Sequence, residues 1–330
     1  MHITGIFINA DGDHLGGSLA RLKADLAWFQ KIGFDGVELS IQGLDVISGG
    51  HLQRGQVDRV RAITDRSDLV YTVHAPHPMN FAFPQLGTGG EPDSSMDWDV
   101  FVASLDFCAA IGARVMVYHS GLIALHHVAA GLAEELPDDE ELGLARKREV
   151  TALRELAPLA AERGVVIAME NRDPHPWEVA ALRRCGVPPS QLIKYHAGMS
   201  IPDLLDQVEA VDHPSLVLAI DFGHLFLAAN FCGFDYLQAI RQAVPHVRHL
   251  HTSDNWGRLG GPFLSLNHRI PHGEGDVHMP PGWGAIPHVE TLKQLPDYKG
   301  YYVLEIQPRF HEHLAAALKS ARQIIDAASG

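Results

Sequence analysis

Leu216-Val217-Leu218-Ala219-Ile220-Asp221-Phe222-Gly223-His224 is the stretch that decides the fold. Its apolar part is aliphatic, follows Pro214 and is too short for a packed helix, so it reads as a strand buried on both faces. The strand ends in an acid, which is costly to bury unless something positive neutralises it. A metal ion does that, and His224 can lie beside it.

The same grammar recurs on both sides. Apolar runs at 3–8, 36–40, 69–73, 113–118, 165–169, 246–251 and 301–306 read as strands, and helical periodicity separates them. The expected helices cover 19–32 (stopped by Gly33), 53–66, a stretch capped by Ser94 and running to Ile111, 140–163 (stopped by Gly164), 202–211, 236–243, 288–295 and 311–327. Residues 173–201 form an irregular, Pro-rich interruption with a short helix near 178–183, long enough for a lid or an oligomer contact. Eight strand–helix alternations imply an α/β fold, a single (β/α)8 barrel over 1–330 with long loops at its C-terminal face. A doubly wound open sheet would call for an early Gly-x-Gly-x-x-Gly, which the chain lacks.

Composition narrows the function. A net charge of −14 argues against a nucleic-acid partner. Three dispersed cysteines (Cys108, Cys185, Cys232) suit a reducing compartment. No basic leader or long apolar stretch is read, so the expectation is a cytoplasmic protein with no membrane partner. Gly87-Thr88-Gly89-Gly90 lacks the spacing of a phosphate loop and is read as a turn.

The strand ends carry Glu38, His74, His119, Glu170, Asp221, His251 and Glu305. In a barrel these ends form one ring. Alone, a histidine is usually a hydrogen-bonded core residue and a glutamate an ion-pair partner. Together, Glu170, Asp221, His251 and Glu305 make a mixed oxygen and nitrogen set suited to Mn²⁺, Mg²⁺, Co²⁺ or Zn²⁺. Without a cation the three carboxylates would repel one another and take up protons. His126, His127, His246 and His249 are given no site role. Phe83, Trp177, Trp256 and Trp283 lie in loops above the ring, either as sugar-stacking surfaces or as local packing.

In order, Gly36-Val37-Glu38-Leu39, Val73-His74-Ala75-Pro76, Tyr118-His119-Ser120-Gly121, Ala168-Met169-Glu170-Asn171, Ile220-Asp221-Phe222-Gly223-His224, Leu250-His251-Thr252-Ser253-Asp254, Gly273-Glu274-Gly275-Asp276 and Val303-Leu304-Glu305 span nearly the whole chain. Their succession resembles the xylose isomerase-like barrel superfamily, which takes in endonuclease IV, ketose 3-epimerases, hydroxypyruvate isomerase-like proteins and inosose dehydratases.

The endonuclease branch implies a further metal held partly by an Asp-x-His before the Gly-Glu-Gly turn. Counting back from Gly273 puts those positions at Asn267 and Arg269, which do not ligate metal. The single-metal sugar branch is therefore preferred. It implies one divalent ion, Mn²⁺ first, on Glu170, Asp221, His251 and Glu305. His224 and, with one residue of offset, Arg258 would touch substrate oxygens. Glu38 would join the site or form a structural ion pair. His74 and His119 would either complete a second ion site with Glu170 or, as preferred, donate to substrate hydroxyls.

The expected reaction is isomerisation or epimerisation of a sugar, keto-sugar or polyol derivative through an enediolate, with Glu170 and Glu305 as acid and base. A dehydratase, an endonuclease-like hydrolase and a non-catalytic barrel subunit are the alternatives. The resemblance also implies a homo-oligomer, dimer or tetramer.

Overall fold

The computed structural model describes residues 1–85, 93–261 and 265–330. Each of the eight apolar runs forms a strand: β1 (His2–Ala10), β2 (Gly36–Ser40), β3 (Val70–His74), β4 (Val115–His119), β5 (Val166–Glu170), β6 (Leu216–Asp221), β7 (Val247–Thr252) and β8 (Lys299–Leu304). They pair in parallel in chain order, and β8 closes on β1. The expected barrel is therefore the observed one. Gly87–Gly90 lies outside the described residues.

Register explains how residues distant in sequence meet. His119 pairs with Glu170 across β4 and β5, and Asp221 pairs with His251 across β6 and β7. Paired residues on neighbouring parallel strands share a face, so each pair aims one way. Lower in the barrel, Gly36 leaves room for the Phe7 ring; a Cβ there would lie 2.3 Å from Phe7 Cζ. The helices pack outside on Leu22, Leu105, Leu153, Leu204 and Leu318, all essentially inaccessible. Burying each contributes about 1.5–3 kcal/mol.

Helix boundaries follow the expected signals with instructive exceptions. Gly33 stops Leu19–Ile32 in the left-handed conformation (φ 102°). Ser94 precedes Ser95–Ile111 but makes no cap bond; Asp93 instead accepts from the Ser95 N–H at 2.9 Å. Phe222–Cys232 is a helix that periodicity did not reveal, because apolar residues surround it on nearly every side and no stripe stands out. Asp221 is its N-cap, taking the His224 N–H at 2.6 Å.

The 173–201 interruption contains the helices Pro176–Arg184 and Leu192–Tyr195. With Leu122, Leu125, Met199 and Ala228 they form an apolar cluster of their own. It anchors the loops at the C-terminal mouth.

Candidate metal centre

Glu170 is the hub of the mouth. One oxygen lies 2.9 Å from His119 Nε2 and 3.4 Å from His74 Nε2. The other lies 2.9 Å from His251 Nδ1 and 3.7 Å from His224 Nδ1. Asp221 is locked in place because Asn171 bonds both to its backbone N–H (2.9 Å) and to its carbonyl (3.2 Å). Glu305 is the first residue after β8; its N–H bonds to the Thr252 carbonyl at 2.9 Å, and its carboxylate faces His251 Nδ1 at 3.4 Å. Donor atoms of Glu170, Asp221, His251 and Glu305 all lie within 4.8 Å of one another.

The donor set fits a divalent cation. Among the described residues, Asp221 Oδ2 and Glu305 Oε2 are buried without a hydrogen-bond donor. Burial, offset in part by His224 and reinforced by Glu305, Glu170 and Asp276, pushes the Asp221 carboxyl up to about 6. A cation among these oxygens removes that frustration.

Glu38 sits elsewhere than the strand-end reading placed it. It is the middle residue of β2, inside the barrel, and 2% exposed. Oε1 lies 2.8 Å from His251 Nε2, and Oε2 takes His249 Nε2 and the Thr72 hydroxyl, each at 2.9 Å. Burial opposes the charge, yet His251 and His249 hold this carboxyl well below the ordinary range. The grip leaves His251 Nδ1 turned toward the ring, the role of a carboxylate behind a metal-bound histidine. His249, given no site role from sequence, is part of that support.

Other expectations also shift. Arg258 is exposed and, among the described residues, its side chain reaches only the His272 carbonyl, at 3.5 Å; it makes no hydrogen bond or ion pair with the ring. Trp177 stacks on His126 (5.1 Å), Trp283 packs against His313 (4.9 Å), and Phe83 is buried in the loop cluster. These three therefore have protein partners already. His77, unassigned from sequence, stacks on His119 at 4.9 Å and meets His74 edge-on at 4.6 Å.

An Asp-x-His is present after all, as Asp276-Val277-His278. Asp276 and His278 are in contact, and Asp276 also lies 3.4 Å from His224 Nε2. The offset that led from Gly273 to Asn267 and Arg269 leads, from Gly282, to Asp276 and His278. The turn that matters is Gly282-Trp283-Gly284. Asp254 holds it by accepting from the Gly282 N–H at 2.8 Å and the Ile286 N–H at 3.2 Å. Gly284 must be glycine, since a Cβ there would lie 2.4 Å from the Asn255 carbonyl oxygen. The motif therefore lies nine residues beyond the positions counted from Gly273. The absence of an Asp-x-His thus falls away as an argument against a centre with several ions.

The sequence profile of the xylose isomerase-like TIM barrel matches residues 26–327. This chain belongs to that family. Among curated relatives of the xylose isomerase-like chain, an uncharacterised protein of Mycobacterium tuberculosis is 25% identical over 289 residues, covering 87% of this chain and 84% of the relative. An inosose dehydratase of Erwinia tasmaniensis is 24% identical over 256 residues, covering 74% and 75%. Two solved structures share the barrel. A D-tagatose 3-epimerase-like protein matches with TM-score 0.65 and 18% identity over 98% of this chain and 97% of that one. An IolI protein with a bound zinc atom matches with TM-score 0.63 and 19% identity over 99% and 98%.

Proposed function

We propose that this chain is a divalent-metal-dependent isomerase or epimerase of a sugar or keto-sugar. The observation that carries the reading is the convergence of Glu170, Asp221, His251 and Glu305, with buried oxygens lacking donors. These four would hold the ion, Mn²⁺ first, with Zn²⁺, Co²⁺ or Mg²⁺ as alternatives. A bound ion supplies Lewis acidity that polarises a carbonyl and eases loss of the proton α to it.

The chain's own residues do the rest. Despite burial, His251 and other histidines hold Glu170 well below the ordinary range and Glu305 down to about 2, so both start as bases. One takes the substrate proton and the other returns one. His278, held up to about 10 by Asp276 and Glu305 against burial, carries a proton 3.7 Å from Glu305 Oε2. It would keep Glu305 supplied. His74 and His119 lie on Glu170 and would donate to substrate hydroxyls. A small polar cleft lined by Asn9, Ser40, Gln42, His74 and His77 opens beside Glu305. Its amides and hydroxyl match the hydroxyls of a sugar.

The inosose dehydratase among the relatives supports loss of water from the same α-deprotonated substrate as a variant of this chemistry. A second reading has its own observation: His224, Asp276 and His278 form a compact group, as do His74, His77 and His119. With further ions there, His278 would be a ligand instead of a proton store, and hydrolysis would become accessible.

Assembly as a homo-oligomer and a cytoplasmic location complete the proposal; among the described residues no helix is long and apolar enough to cross a membrane. The test is incubation of keto-sugars in D₂O with purified protein, read by NMR. Deuterium at the carbon next to the carbonyl, lost in Glu170→Gln, supports the isomerase. No exchange with any sugar, together with two or three ions per chain, would turn the reading to hydrolysis.

A further inference from the structure

Arg172 follows the hub by two residues and is not used by the ring. Its stem packs over Gly198, where an added Cβ would lie 3.4 Å from Arg172 Cδ, and its backbone N–H bonds to the Gly198 carbonyl at 3.0 Å. The loop 173–200 thus fixes where the side chain lies. Its guanidinium makes no hydrogen bond or ion pair with any described residue, although the residue is partly buried. The acids nearest it are committed elsewhere. Glu178 is bound by His175 and His196 at 3.2 and 3.0 Å, Asp173 lies 3.6 Å from His175, and Glu170 serves the ring.

On the side of the mouth, Arg172 acts electrostatically on His77, His119 and His126. Burial, with Arg172 and neighbouring histidines adding to it, brings His77 down to about 3 and His126 to about 4; His119 lies well below its ordinary range. His77 and His126 are therefore neutral at physiological pH and offer N–H donors without competing charge. A partly buried guanidinium left unpaired costs stability, and a planar fork of donors suits a bidentate oxyanion. The cleft beside Glu305, in contrast, adds the carboxylates of Asp11 and Glu38 to its amides and hydroxyl, and offers an anion no cationic Arg or Lys.

We propose that Arg172 anchors an anionic group, a carboxylate or a phosphate, carried by the substrate. This rests on the sugar reading of the ring and narrows it: the substrate is a sugar acid or a sugar phosphate, its hydroxyls toward Asn9 and Gln42 and its charge toward Arg172. Arg172 then sets specificity, and proton transfer remains with the ring.

The experiment is calorimetric titration of the metal-loaded protein with inorganic phosphate, D-glucuronate and D-glucose, for the wild type, Arg172→Lys and Arg172→Gln. At least one anion should bind the wild type, more than tenfold weaker to Arg172→Gln and at an intermediate affinity to Arg172→Lys, with D-glucose changed by less than twofold. Phosphate binding points to a sugar phosphate, and glucuronate binding to a sugar acid. No anion binding to the wild type would overturn the proposal. So would anion binding equal in wild type and Arg172→Gln, the mark of an anion held by the metal alone, or a parallel loss of D-glucose.

Should the variants fail to fold, modification of wild-type Arg172 by phenylglyoxal, mapped by mass spectrometry, serves instead. It should be slowed by the bound anion and not by D-glucose; equal rates would overturn the proposal. Because binding is read without turnover, Arg172-dependent anion binding in a protein inactive on every sugar would sink the isomerase reading and leave the anchor standing. Exchange on neutral sugars, untouched by Arg172→Gln, would do the reverse.

Discussion

Two glutamates at the C-terminal end of the barrel are equally inaccessible to water and have opposite surroundings. Glu149, on the helix Asp139–Glu162, takes the Tyr118 hydroxyl at 2.9 Å, the Gly121 N–H at 2.6 Å and the Gln207 amide at 2.8 Å. All are neutral, and burial raises its carboxyl above the ordinary range. Glu170 is ringed by histidines that hold it low despite burial, and the carboxylates of Asp221 and Glu305 are close by. The first arrangement ties a helix to the end of β4. The second crowds like charges that a bound cation would relieve. A buried acid satisfied by neutral donors supports the fold; one crowded by like charges, with donorless oxygens close by, points to a ligand.

The comparison breaks if the two sites respond alike. The largest effect should come from Glu170→Gln, with turnover down by about 10³-fold, in the range of general acid–base contributions, while thermal unfolding stays near the wild type. Glu149→Ala should do the opposite. It leaves three polar partners buried and unpaired and should cost about 3–5 kcal/mol in denaturant unfolding, with metal content unchanged. Glu38→Gln falls between them, weakening metal affinity about 10–100-fold by loosening His251, as measured by competition with a chelator.

The smallest effect concerns pH. Against burial, His196 and His175 hold Glu178 below its ordinary value of 4.5. Its stabilising contribution is therefore complete above that value and is lost as pH falls toward the lower folded pKa. The shift in Glu149 has the opposite sign, so its contribution is present at low pH and erodes as pH rises through the folded value. Acid unfolding of Glu178→Gln should consequently be shallower below about pH 4.5 than that of the wild type, read by circular dichroism.

The barrel was legible because each strand is a short aliphatic run and most helices show a stripe. The helix Phe222–Cys232 was hidden by its own burial, which erases the stripe. The four proposed metal ligands were legible because they fall at or next to strand ends, where the fold gathers them. The supporting residues were less so. Glu38 lies mid-strand with its purpose visible only across the barrel, and Asn171 acts through backbone groups of β6. Asp276 and His278 were present in the sequence, concealed by a competing Gly-x-Gly nine residues earlier. Arg172 was readable as a residue but not as a site, because the absence of a partner cannot be seen in one dimension.

Metal content by elemental analysis of the purified wild type and Asp221→Ala tests the central claim most directly. The account predicts about one divalent ion per chain in the wild type and none in the variant, since removing one of four ligands from a buried site costs most of its affinity. An ion retained by Asp221→Ala, or a wild type free of metal after purification without chelators, would contradict it.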